Sequence, residues 1–241
     1  MSMKSMPEAN HTRRGYSPGD EREFSGSARE VLLGAAGDVR YLLGRGYEIS
    51  SAVTFAGNHF LLSKRQRTAL LRGVSSAEAV KLRKSREADE LPDEIWIDGF
   101  NTIITLETAL SGSVLIGCDD GTVRDLAGLY GTYRIIDNTY RAVDLVIQTL
   151  EQCGAGKVHF LLDQPVSNSG RLCELIREKA EGRPFETDAA AVPDVDRQLI
   201  GKEFVVTSDR VILDACGGWY NLNKRIIEGN VPEAWMFRLQ K

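Results

Sequence analysis

Residues 95–104 read IWIDGFNTII: three residues suited to a strand, an Asp, a Gly-Phe-Asn turn and a second apolar run. Two later segments repeat the arrangement, HFLLD ending in Asp163 and FVVTSD ending in Asp209. The spacing predicts strands over 95–97, 114–117, 158–162 and 204–206, with amphipathic helices over 138–152, 169–181 and 194–200. Strands that alternate with helices imply a mainly parallel sheet covered on both faces, a three-layer α/β/α domain. All strand C-termini of such a sheet lie on one edge, where ligands bind. Asp98, Asp163 and Asp209 are therefore expected to converge.

Working back toward the N-terminus, EADELPD (87–93) is acidic and contains Pro92, and its end at 89–93 reads as a linker. Before it, SARE (27–30), SKRQ (63–66) and SSAE (75–78) carry the spacing by which a Ser and a Glu or Gln cap a helix start. Apolar residues follow each at helical intervals, and a further short helix fits 51–60. Residues 24–88 thus form a small all-α module and 94–241 the α/β domain. Residues 1–23 are polar and aperiodic and read as a disordered tail.

The chain has 241 residues, 42% hydrophobic and 27% charged, which excludes fibrous and wholly disordered classes. Its net charge of −4 excludes a uniformly basic nucleic-acid binder. The charge is segregated, however. Up to Pro92 there are 15 Lys and Arg against 11 Asp and Glu; beyond it, 15 against 23. Residues 59–86 hold eight cations and one acid, Glu78. Such a block suits a polyanion, and Arg65, Arg67 and Arg72 are the expected contacts; solvated helix faces are the plainer reading. Cys118, Cys153, Cys173 and Cys216 show neither metal-site nor disulfide spacing. With no apolar signal core and no membrane-length run, the expected location is the cytoplasm.

An Asp after one strand is an ordinary cap or turn former. Three in succession on one sheet edge repel one another unless a cation lies between them. Hard oxygen donors point to Mg²⁺ or Mn²⁺. Asp196 is the preferred fourth ligand, with Glu107, Asp194 and Asp214 as lesser candidates. Thr207 and Ser208 place hydroxyls beside Asp209, and Asn101 either holds a phosphate or orders the turn after Asp98. Ser169 and Arg171, with Ser167 and Asn168, open a helix whose N–H groups suit a phosphate. Trp219 and Tyr220 suit base stacking or, more commonly, the core.

IWIDGFNTII resembles the first strand of PIN-like domains of the NYN type, where a strand runs into Asp-Gly-Tyr-Asn. LLDQPVSN (161–168) fits their central strand, and VVTSDRVILDACGG (205–218) resembles their last acidic motif. The resemblance runs from Glu94 to about Gly218 and implies metal-dependent hydrolysis of RNA, with Asp98, Asp163 and Asp209 as metal-binding catalytic carboxylates. It departs in the stretch 112–137. The helical module, with YLLGRGY and LSKRQRTALLR, is similar to an uncharacterised microbial family. In the implied mechanism bound ions polarise the scissile phosphate and activate water, while the basic block brings in the polyanion. The alternative is a non-catalytic nucleic-acid-binding or assembly protein with structural carboxylates. LIGCDDGTVRD (115–125) also resembles the first loop of haloacid-dehalogenase-type phosphatases, but Cys118 stands where their nucleophilic Asp is required; Asp119, Asp120, Arg124 and Asp125 form a charged turn next to the expected site, read first as solvated and second as a substrate contact. RNA is the expected partner, no membrane is involved, and a homo-oligomer is compatible with the composition.

Overall fold

The structure, a computed structural model, describes residues 12–129 and 131–240. Five helices come first: α1 (Asp20–Phe24), α2 (Gly26–Leu43), α3 (Ile49–His59), α4 (Lys64–Gly73) and α5 (Ala77–Ser85). The capping signals act as expected at two of them. Ser63 and Gln66 form a reciprocal capping box at α4, and Ser76 accepts from the Ala79 N–H at α5. The remaining elements are β1 (Glu94–Asp98), α6 (Gly99–Leu110), β2 (Leu115–Gly117), β3 (Val123–Asp125), α7 (Asp137–Gln152), β4 (Lys157–Asp163), α8 (Ser169–Ala180), β5 (Glu186–Val192), α9 (Val195–Leu199), β6 (Phe204–Val206), α10 (Arg210–Ala215), β7 (Gly218–Trp219), α11 (Leu222–Asn230) and β8 (Met236–Arg238).

The main sheet has the order β5-β4-β1-β6-β7, every pair parallel. On one face Ile95, Ile97, Phe160, Leu162 and Val206 pack against α6, α7, α8 and α11. On the other, Leu161, Val205 and Trp219 pack against α9 and α10. The period-2 alternation of strand side chains puts each set on its own side. This is the three-layer α/β architecture with a helical region before it. Gly99 permits the tight turn from β1 into α6: a Cβ there would lie 3.0 Å from the Leu161 carbonyl oxygen and 2.9 Å from Leu162 Cγ.

Two expectations need correction. The strand near 114–117 does not join the parallel sheet. It forms a second, three-stranded sheet, β3-β2-β8, antiparallel to β3 and parallel to β8. Its Val114, Ile116 and Cys118, with Phe237 and Leu239, share one core with Leu32, Val39, Val53, Leu70 and Val74 of the helices. The helical region thus packs on the α/β part through common apolar burial. The tail expectation over 1–23 falls outside the described residues up to residue 11. From Thr12 onward the chain is anchored: Arg14 is buried, with its guanidinium 2.6 Å from Glu107 and donating to the Arg134 carbonyl. A buried Glu without a cation is costly, and Arg14 supplies the partner from 93 residues away.

Ion pairs also cross between the helices and the rest. Arg40 makes two bonds to Asp119, at 2.7 and 2.8 Å. Arg83 donates to Asp120 at 2.8 Å and to both oxygens of Asp214 at 2.7 and 2.8 Å. Burial alone would lower the Arg83 pKa, but Asp214 and Asp120 outweigh it and raise it. The four cysteines are free. Among the described residues no helix is long and apolar enough to cross a membrane.

Candidate active site

In the main sheet the chain runs outward from β1 through β4 to β5, then crosses back to β6 and β7. The order reverses between β1 and β6, which opens a crevice at their C-terminal ends. Asp98 ends β1 and caps α6, accepting from the Asn101 N–H at 3.3 Å. Thr207, just beyond β6, donates its hydroxyl to the other Asp98 oxygen at 2.9 Å and accepts from the Asp209 N–H at 3.0 Å. Ser208 gives both its N–H and its hydroxyl to the Asn101 side-chain oxygen, each at 2.9 Å. The Asp-Gly-Phe-Asn and Thr-Ser-Asp segments are thereby tied together across the switch point. Asn101 lies in the first turn of α6 rather than in an open turn. Its amide nitrogen has no partner among the described residues.

The crevice continues into a cleft of about 460 Å³. Asp98, Asp163, Asp196 and Asp209 all line it, so the three strand-end acids and the preferred fourth share one cavity. Burial pushes Asp98 up to about 7; the Thr207 hydroxyl and the Asn101 N–H oppose this, while the charges of Asp163 and Asp196 add to it. Burial also raises Asp163, against the Val195 N–H and reinforced by Asp194. Asp196 is raised by burial, then by Asp209, Asp163 and Asp194. The carboxylates therefore feel one another. Among the described residues, however, no three His, Cys, Asp or Glu side chains gather closely enough to hold an ion by themselves.

Three arginines line the same cleft: Arg72 from α4, Arg124 from β3 and Arg210 at the start of α10. The helical region thus contributes directly to the cleft, through Leu71 and Arg72. Arg72 also donates to the Asp125 carbonyl at 2.6 Å, and Arg124 bonds the Ser208 carbonyl at 2.6 Å and Asp120 at 3.1 Å. Arg124 donates further to the Arg72 carbonyl. Burial together with Arg124 and Arg83 lowers the Arg210 pKa.

The other predicted contacts lie elsewhere. Arg65 bonds Asp20 and the Gly15 and Leu126 carbonyls, and Arg67 bonds the Leu62 and Gly57 carbonyls and Asn58. Every guanidinium nitrogen of both is engaged within the N-terminal half of the chain or with Leu126, and neither residue lines the cleft. Ser169 is buried beside the Gln164 carbonyl and Arg171 is exposed on α8; neither lines the cleft. Glu107 is buried with Arg14, Tyr133 and Thr139, Asp214 belongs to Arg83, and Asp194 caps α9. Trp219 is fully buried, its indole N–H on the Arg83 carbonyl. Sequence reasoning placed Arg124 in a charged turn beside the expected site and missed Arg210. The available signal was Arg210 itself, a cation directly after a candidate acid and at a helix start, where cations are disfavoured.

Fold and site together define a three-layer α/β protein with an acidic crevice at its topological switch point and a helical region that walls the crevice with arginine. The chain belongs to the family described as Domain of unknown function (DUF5616), whose model matches residues 88–225. Residues 31–86 match Protein of unknown function (DUF434). A protein of Methanocaldococcus jannaschii described as uncharacterized is 38% identical over 180 residues, 73% of this chain and 86% of that protein. No solved structure matches the chain significantly.

Proposed function

We propose that this protein is a PIN-like, metal-dependent ribonuclease that hydrolyses RNA phosphodiester bonds in the crevice at the end of β1 and β6. One observation carries the reading: four carboxylates, Asp98, Asp163, Asp196 and Asp209, line a single cleft, and three of them hold their protons more tightly than usual. Buried acids that raise one another's pKa are electrostatically frustrated, and a divalent cation relieves that frustration. The all-oxygen donor set fits Mg²⁺ or Mn²⁺. Mg²⁺ keeps several waters and binds through one or two carboxylates plus substrate phosphate, so a closed three-ligand cage is not required. When bound, the cation supplies charge stabilisation at the phosphate and a more acidic water.

The chain's own residues do the positioning. Thr207 and the Asn101 N–H hold the two oxygens of Asp98 in fixed directions. Ser208 fixes the Asn101 carboxamide, whose free N–H₂ is placed to donate to a phosphate oxygen. Arg72 brings positive charge from α4, so RNA meets cationic and acidic walls at once.

The test is cleavage of end-labelled single-stranded RNA by the full chain with Mg²⁺ or Mn²⁺, alongside Mn²⁺ calorimetry. Cleavage that disappears in folded Asp98→Asn and Asp209→Asn variants supports the proposal. Wild-type protein that neither binds Mn²⁺ nor cleaves RNA refutes it, and RNA binding without cleavage favours a non-catalytic binding protein.

A further inference from the structure

We propose that Arg210 is the phosphate-binding residue of the cleft, donating its guanidinium N–H groups to a substrate phosphate in the cavity that Asp98, Asp163 and Asp196 also line. This rests on the reading that the crevice takes a phosphodiester.

The commitments of the surrounding arginines single it out. Arg83 is taken by Asp120 and Asp214, Arg124 by Ser208, Asp120 and Arg72, and Arg72 in part by Asp125. The Arg210 side chain makes no hydrogen bond or ion pair among the described residues, although it is half-buried in the cleft lining. Its neighbour Asp209 forms no ion pair with it; one Asp209 oxygen caps α10 through the Val211 and Ile212 N–H groups. A guanidinium in that setting gives up water and gains no partner. A phosphate removes both penalties, since the planar guanidinium fork matches two phosphate oxygens.

The rim argues for a nucleotide rather than a bare anion. Val211 is 60% exposed and Leu71 38%, and they flank Arg210 and Arg72 in chain order. Exposed apolar side chains next to the two cleft cations suit a sugar or base joined to the phosphate.

The experiment compares Asp98→Asn, used to prevent cleavage, with Asp98→Asn/Arg210→Gln and Asp98→Asn/Arg210→Lys in the full chain. Fluorescence anisotropy with a labelled single-stranded RNA dodecamer across a salt series gives affinity, calorimetry with pyrophosphate gives the bare-phosphate arm, and urea titration gives stability. Arg210→Gln is expected to weaken RNA binding at least about tenfold and to flatten the log–log salt slope by about 0.7, with partial rescue by Lys. Its unfolding midpoint is expected to hold or rise, whereas a merely structural arginine would lower it. Loss in both ligand arms assigns the phosphate itself; loss for RNA alone assigns a polynucleotide phosphate. Unchanged affinity and salt slope, or no binding of either probe by the Asp98→Asn parent and by wild type, overturns the assignment. The two readings separate cleanly. RNA bound through Arg210 but never cleaved removes the nuclease and keeps Arg210, whereas wild-type cleavage matched by Arg210→Gln in kcat and KM removes Arg210 and keeps the nuclease.

Discussion

Replacing Asp98 with Asn should make the metal-free protein more stable at pH 8 and less stable at pH 4. In the folded chain Asp98 is 6% exposed and its pKa lies at about 7, against an ordinary 3.8. The folded state therefore binds the proton more tightly than the unfolded chain. Stability falls as pH rises wherever the folded state holds more protons. The penalty is absent below about pH 4 and complete above about pH 7. At about 1.4 kcal/mol per pH unit, the interval from 3.8 to about 7 corresponds to about 4 kcal/mol. Against this, Asn weakens the bond that Thr207 donates at 2.9 Å, a loss of about 1–2 kcal/mol at any pH. The variant should then lie about 1–2 kcal/mol below wild type at pH 4 and about 2–3 kcal/mol above it at pH 8, so the two stability curves cross. Asp163 and Asp196 shift in the same direction and broaden the window. Urea unfolding in EDTA, followed by tryptophan fluorescence from pH 4 to 8, measures the difference directly. Added Mn²⁺ should raise wild type and leave Asp98→Asn nearly unmoved. Parallel stability curves would show that Asp98 is not a frustrated buried acid, and the main argument for a cation in the cleft would go with it.

Arg83→Met removes one of the two guanidinium partners of fully buried Asp120, leaving Arg124, and the partner of Asp214, and should lower stability by about 2 kcal/mol, read as a thermal midpoint drop of about 6 °C; a shift under about 2 °C contradicts the role given to this pair. Glu107→Gln leaves Arg14 buried without a counter-charge at a similar cost, and trypsin should then cut at Arg13 and Arg14 faster than in wild type, an effect whose absence would show that residues 12–18 are held by something else. Gly73→Ala would place a Cβ 2.3 Å from Leu239 Cδ1 and 2.8 Å from Ile116 Cγ2, where α4 packs on β2. Overpacking of about 1–3 kcal/mol, offset by up to about 1 kcal/mol of helix propensity, predicts a net loss of about 1–2 kcal/mol in urea denaturation.

The strands that frame the crevice were legible because strands buried on both faces read as apolar runs, as in β1 and β6. Their terminal acids were legible for the same reason, since an Asp that follows such a run must stand at the sheet edge. The run at β2 was equally apolar, but periodicity does not say which sheet a strand joins. Its fate depended on β8, more than 110 residues later in the chain. Edge strand β5, ETDAAAV, pairs only with β4 and carries little β-branched or aromatic content, so it gave no strand signal. The arginines were the least legible, because the partner of a charged side chain is set by tertiary contacts: Arg40 meets Asp119 across 79 positions and Arg83 meets Asp214 across 131.

The segregated charge acquires a different meaning from these pairings. A basic N-terminal part and an acidic C-terminal part suggested a module that delivers RNA to a domain that cuts it. In the folded chain much of that opposition is consumed internally, by Arg40 with Asp119, Arg72 with Asp125, Arg83 with Asp120 and Asp214, and Arg14 with Glu107. The pairs tie the N-terminal part to the rest of the chain and, apart from Arg72, which also lines the cleft, are not available to a partner without breaking the fold. Asp98, Asp163, Asp196, Asp209 and Arg210 all line the cleft and stand outside this arrangement. One Asp209 oxygen caps α10, Thr207 and Asn101 bond the two oxygens of Asp98, and Arg210 forms no ion pair among the described residues, so the cleft has two kinds of demand. A cation alone satisfies only the acids and a phosphate alone only the arginine. A phosphodiester bound together with a divalent cation satisfies both, and for that reason the cleft, rather than the basic helices, is where the polyanion is expected to bind.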